Sequence, residues 1–189
     1  MPTSFISAFD HFVEQYIAQS TKQNKGLVTE YDSQWPSDCL SVHNDASDGD
    51  EIAWKPHLRK APASMENLNA ALEIQIPQSL EQFFGRYFSL DLNALHPRGP
   101  VTLLQVYNEQ DYERLQKNLI AHVLMKRRLK QPETLFFALT DEEDFIISIE
   151  LESQAVVLER VGKDNPEVLA PDLASFIAAL TPQPQLVTL

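Results

Sequence analysis

Glycine and cysteine are scarce in this chain, and each scarcity removes a class of function. The five glycines stand at 26, 49, 85, 99 and 162, with the nearest pair 14 residues apart. No phosphate-cradling loop, dinucleotide fingerprint or nucleophile elbow is built from glycines so dispersed. Cys39 is the single cysteine, which excludes an internal disulfide and a thiolate-only zinc site. His43 is the one base within ten positions of it, so Cys39 reads poorly as a nucleophile. The five histidines, at 11, 43, 57, 96 and 122, include no i, i+4 pair, and a helical zinc motif is therefore absent. No apolar run approaches the roughly 18 residues that span a bilayer. Asp10 and Glu14 interrupt the first apolar stretch, with no basic region ahead of it, so that stretch does not read as a signal peptide. The expectation is a cytoplasmic protein that is not an enzyme and needs no cofactor or metal.

Positive charge is also in short supply. The net charge of −12 argues against nucleic acid as a partner, because affinity there comes mainly from neutralising phosphates. Residues 131–189 carry eleven acidic side chains against Arg160 and Lys163. Within them Asp141, Glu142, Glu143 and Asp144 run consecutively between two apolar segments. They read as a solvated turn, or as an acidic rim for a basic partner. The loop Asp45 to Glu51 fails as a calcium loop. With Gly49 at its sixth position, Ala46 falls on the third and Lys55 on the twelfth, where ligands are required.

At 189 residues, 43% of them apolar, the chain is long and apolar enough for one self-sufficient core. Phe5, Phe9, Phe12 and Tyr16 predict an amphipathic helix over about 3–22. Residues 23–39 read as loop. Leu40–His43 and Glu51–Trp54 read as paired strands with Asp48-Gly49 between them. Residues 55–70 read as loop, and Pro77 opens a helix on which Leu80, Phe83, Phe84, Tyr87 and Phe88 share a face. Leu103 to Leu139 reads as strand, long helix, strand. Asn108 is the N-cap, Asp111 its capping-box partner and Pro132 the stop, while Tyr112, Leu115, Leu119 and Val123 form the buried stripe. Lys126, Arg127, Arg128 and Lys130 complement the helix dipole. His122 lies near the apolar face and reads as packed. Thr134–Leu139, Phe145–Leu151 and Ala155–Val161 predict further strands, and Pro171 a last helix. Hairpins with helices on one side indicate an α+β domain over 1–181, with a frayed, proline-rich tail over 182–189. Trp35 and Trp54 stand in a loop and at a strand end, where an indole serves first as a core lid and second as a binding anchor.

Several segments resemble the bacterial Syd family: PSDCL at 36–40, IAWKP at 52–56, ENLNAALEIQIPQSLEQFF at 66–84, LLQVYNEQDYERLQKNLIAHVLMKRRLK at 103–130, PETLFFAL at 132–139 and LAPDLASFIAAL at 169–180. The resemblance implies a SUKH-like fold, mainly antiparallel sheet with helices packed on it. It also implies a non-enzymatic protein that interacts with the translocon subunit SecY and sits loosely on the cytoplasmic side of the inner membrane. The membrane would be reached only through that partner, and the activity would be a check on improperly complexed SecY. The alternative within the superfamily is an immunity-type module that masks a basic toxin domain. Cytoplasmic loops of membrane proteins are rich in Lys and Arg, which suits an acidic partner. The candidate contact residues are Trp54, Glu66, Asn69 and Glu73, with Asp141, Glu142, Glu143 and Asp144 as an electrostatic rim.

Overall fold

A computed structural model of the chain describes residues 4–22, 26–163 and 165–184. Helix α1 (Phe5–Lys22) buries Phe5, Phe9, Phe12, Val13 and Tyr16. Strand β1 (Val28–Glu30) pairs antiparallel with β2 (Glu51–Ala53), placing Glu30 directly opposite Glu51. This corrects the expected pairing of Leu40–His43 with Glu51–Trp54. Leu40 makes only an isolated bridge to Trp54, and residues 41–45 are exposed. A three-residue strand in a polar stretch leaves too short a pattern to read in advance.

Strand β3 (His57–Leu58) and helices α2 (Glu66–Leu72) and α3 (Gln78–Gly85) follow. The helix expected to run on through Tyr87 and Phe88 stops at Gly85, and Tyr87–Phe88 forms β4, paired with β3. At that point the Gly85 and Arg86 carbonyls accept from the Ala63 and Arg59 amides instead of continuing the helix, and the chain passes Gly85 so closely that a Cβ there would meet the Ala63 carbonyl oxygen at 2.9 Å.

Seven strands make the main antiparallel sheet, in the order β10-β9-β8-β7-β6-β5-β11. In chain order these are β5 (Leu92–His96), β6 (Gly99–Leu103), β7 (Thr134–Thr140), β8 (Phe145–Glu150), β9 (Val156–Arg160), β10 (Glu167–Ala170) and β11 (Thr181–Pro182). Helix α4 (Glu109–Arg128) connects β6 to β7, and α5 (Leu173–Ala178) precedes β11. The expected tail begins inside this sheet: Pro182 pairs with Ala94, and the Gln183 amide donates to the Asn93 carbonyl at 2.8 Å. Residues 185–189 lie outside the described residues.

The sheet is covered on both faces rather than on the one side expected, since Phe136 meets His122 of α4 while the adjacent Phe137 turns to the other helices. On one, α1, α3 and α5 meet an aromatic core in which Phe137 lies edge-on to Phe83 at 5.5 Å and to Phe176 at 5.6 Å. On the other lies α4. Its stripe of Tyr112, Leu119 and Val123 is buried, Leu115 is half-buried, and Lys126 is buried with them. At its end Lys130 takes a left-handed conformation (φ 55°). The Gln131 amide donates to the Lys126 carbonyl and the Lys130 amide to that of Arg127, which closes the last turn before Pro132.

Candidate functional site

A groove of about 850 Å³ opens beside the N-terminal half of α4, against about 30 Å³ for the cavity near His96. One wall is α4 itself, through Asp111, Arg114, Leu115 and Asn118. The cap sets that wall. The Asn108 side chain accepts from the Asp111 amide at 3.0 Å, and the Asp111 carboxylate accepts in turn from the Tyr107 amide at 2.9 Å. The box therefore closes one residue earlier than the usual reciprocal bond to the cap residue.

The facing wall comes from Thr29, Glu30, Asp32 and Trp35. The Asn108 Nδ2 ties it to α4 by donating to the Pro36 carbonyl at 2.9 Å, and the Ser37 hydroxyl donates to the Tyr107 carbonyl. Trp35 lies parallel to Tyr107, with ring centroids 6.4 Å apart and an interplanar angle of 7°. Asp32 folds its own loop by accepting from the Gln34 amide at 2.8 Å. Leu90, Leu104 and Phe136 contribute apolar surface and Asp91 a carboxylate.

Groove charge is one-sided. Glu30, Asp32, Asp91 and Asp111 face Arg114 alone, and Arg114 is held by Asp111 at 2.5 Å. The Glu30–Glu51 apposition places a second carboxylate beside that of Glu30, a like-charge pair that costs stability and strengthens the local field. Asp91 meets water through the groove mouth while protein surrounds it elsewhere. Burial pushes its carboxyl up to about 6, with Asp111 adding to the rise and a hydrogen bond from the Gln105 amide opposing it.

A second polar cluster lies between α4 and the sheet. Lys126 donates to Glu159, Thr134 donates to the same carboxylate at 2.7 Å, and His122 Nε2 lies 2.9 Å from the Thr134 hydroxyl. Since Thr134 spends its only proton on Glu159, His122 must donate from Nε2. Burial raises the Glu159 carboxyl, but its hydrogen bonds and the Lys126 charge outweigh that and hold it below its ordinary value. Burial and Lys126 depress His122 against the pull of Glu159. All three charged or titratable side chains are under 10% exposed, so this cluster joins helix to sheet rather than facing a ligand. Lys126 is thus a correction to its reading as a surface partner of the helix dipole.

The contact residues expected from sequence fall in separate places. The Trp54 indole is in the core at 8% exposure, whereas Trp35 stands in the groove wall. Asn69 closes the end of α2 by accepting from the Ile76 amide at 2.9 Å, with Glu66 and Glu73 exposed at the two ends of that helix. α2 is tied to the start of β7 by Arg127, which donates to the Leu72 carbonyl at 2.8 Å and pairs with Glu133. Asp141 to Asp144 form the exposed turn at the other end of β7, where Asp144 pairs with Arg160 at 2.7 Å. The structure therefore does not bring the two sets together. Sequence reasoning missed Asp91, Asp111 as a groove acid, and Arg114. Asn108 and Asp111, as cap residues, were the signal that marked this end of α4.

Among the described residues no group of three or more His, Cys, Asp and Glu side chains is placed to hold a metal ion. No described helix is long and apolar enough to cross a membrane. A family model for "Syd protein (SUKH-2)" matches residues 6–182. Protein Syd of Pseudoalteromonas atlantica is 41% identical over 182 residues, covering 96% of this chain and 98% of that protein. Protein Syd of Alteromonas mediterranea is 42% identical with the same coverage, and that of Aliivibrio fischeri 35% identical over 96% of this chain and 98% of its own length.

Proposed function

The chain belongs to the Syd family, and on that premise we propose that it is a non-enzymatic docking protein. Its partner is the translocon subunit SecY, bound through basic cytoplasmic loops at the cytoplasmic face of the inner membrane. The consequence of docking is a check on SecY that is improperly complexed. The observation that carries the reading is the charge of the groove: Glu30, Asp32 and Asp91 line it and form no ion pair with any described residue. Apolar surface from Leu90, Leu104, Leu115 and Phe136 lies among them. A segment that alternates Lys or Arg with apolar residues satisfies both.

The turn Asp141 to Asp144 lies beyond the end of β7 and outside the groove lining. It contributes field at a distance, which speeds encounter. The test is capture from detergent-solubilised inner membranes by the immobilised chain, with the retained proteins identified. SecY among them supports the reading. Retention of a soluble toxin-like enzyme with no translocon subunit present would replace it with the immunity-type role.

A further inference from the structure

Arg114 is the one positive side chain lining the groove among the described residues, and its surroundings are those that recognise a guanidinium. It donates to Asp111 Oδ1 at 2.5 Å and stands 5.8 Å over the Trp35 ring. A carboxylate beside an aromatic face holds arginine better than lysine, because the planar group stacks and hydrogen-bonds at once. We infer that the Asp111–Trp35 corner of the groove is an arginine subsite, filled in the free chain by Arg114 and taken over by an arginine of the docked basic segment. The inference rests on the groove as the docking surface and adds the side-chain chemistry it selects.

Three observations separate Arg114 from an ordinary structural pair. Its side chain is 67% exposed while Asp111 is 16% exposed, so the cation is loose and the carboxylate fixed. Asp111 keeps its orientation without Arg114, because its other oxygen accepts from the Tyr107 amide. Trp35 keeps its place against Tyr107. The subsite is thus organised by groups other than its present occupant. The other guanidinium pairs near aromatic rings differ. Arg86 is only 25% exposed and makes a two-pronged bond to Asp10. Arg59 is 7% exposed, 4.2 Å over Phe88 and 5.3 Å from Tyr112. Those two are built into the fold, while Arg160, 6.0 Å over Phe145, pairs with an Asp144 that is itself 66% exposed and so presents no fixed carboxylate. An i, i+3 pair whose cation is as exposed as Arg114 is weak and exchanges readily for an equivalent cation.

The test titrates N-acetyl-arginine amide into wild type, Arg114→Met and Lys117→Met, following the Trp35 indole N–H by NMR, with Trp35→Phe assigning the resonance. Lys117 lies on the same helix, outside the groove lining, so its variant removes the same charge without opening the subsite. Arg114→Met should half-saturate at about fivefold lower probe than either wild type or Lys117→Met, and N-acetyl-lysine amide should bind it about threefold more weakly. Adding Asp111→Asn should abolish the gain. Equal half-saturation in all three chains, or the same gain in Lys117→Met, overturns the subsite. The two readings fail separately. Arginine probe binding without SecY binding defeats only the docking function. SecY bound alike by wild type and Arg114→Met, with no probe binding, defeats only the subsite.

Discussion

Lys126 on α4 and Glu159 on β9 form an ion pair sealed between helix and sheet, with side-chain exposures of 6% and 3%. Burying both charges is tolerable only because they are paired and because Thr134 donates to the same carboxylate. The pair joins the C-terminal end of α4 to β9, beside the apolar stripe that packs the rest of the helix on the sheet.

Replacing Lys126 by Met leaves an unpaired carboxylate in that interface. Stability to urea should fall by about 3–5 kcal/mol, and adding Glu159→Leu should restore most of the loss. A single variant as stable as wild type would mean that α4 is held by its apolar stripe alone.

The caps and stripe of α4 are legible in sequence because they are local. Asn108, Asp111, Leu119 and Val123 announce themselves by spacing, and Thr134–Leu139 by its apolar run. Lys126 is three residues beyond Val123 and seven beyond Leu119, on the same stripe, but its charge makes a surface reading more natural than a buried one. The β5–β6 hairpin is absent from the sequence reading, although Leu92, Ala94 and His96 alternate ahead of Gly99 at its turn. The groove carries no such signal. Its walls come from residues 29–35, 89–91, 104–118 and 136, assembled by strand pairings, by the hydrogen bonds from Asn108 to Pro36 and from Ser37 to Tyr107, and by the Trp35–Tyr107 stack. No periodicity within a segment encodes such an arrangement.

The raised carboxyl of Asp91 should make stability, and the proposed docking, depend on pH. Its carboxyl is raised from 3.8 to about 6, so between those values the folded chain holds a proton that the unfolded chain has released. The contribution of this group to stability is therefore fully present below about 3.8 and lost as pH rises through about 6. Asp91→Asn should be more stable than wild type at pH 7, with the advantage disappearing towards pH 4. Affinity for a basic segment should move the other way, weakening in wild type as pH falls through about 6 and changing less in Asp91→Asn. Melting curves and binding isotherms taken between pH 4 and 8 read both effects.

Asn108 serves two structures at once, the N-cap of α4 and the anchor of the Trp35 loop. Asn108→Ala should cost about 1 kcal/mol from the cap, and should also loosen the groove wall. Asn108→Ser retains a capping oxygen while losing the bond to Pro36. It should recover most of the stability, yet still show faster hydrogen exchange over residues 31–35 than wild type. Unchanged exchange there would show that Ser37 and the Trp35–Tyr107 contact hold the wall without Asn108.

The proposed docking of the acidic groove on SecY is tested most directly by association kinetics with purified, detergent-solubilised SecY. The chains to compare are wild type, Asp32→Asn/Asp91→Asn, and a variant with Asp141, Glu142, Glu143 and Asp144 replaced by their amides. For wild type, raising salt from low to about 0.5 M, where the Debye length is roughly 4 Å, should slow association at least about tenfold and change dissociation far less. The groove variant should associate more slowly and also dissociate faster, because its carboxylates touch the partner. The turn variant should lose only part of the association rate. Association indifferent to salt, or a groove variant that binds SecY as well as wild type does, would contradict the account.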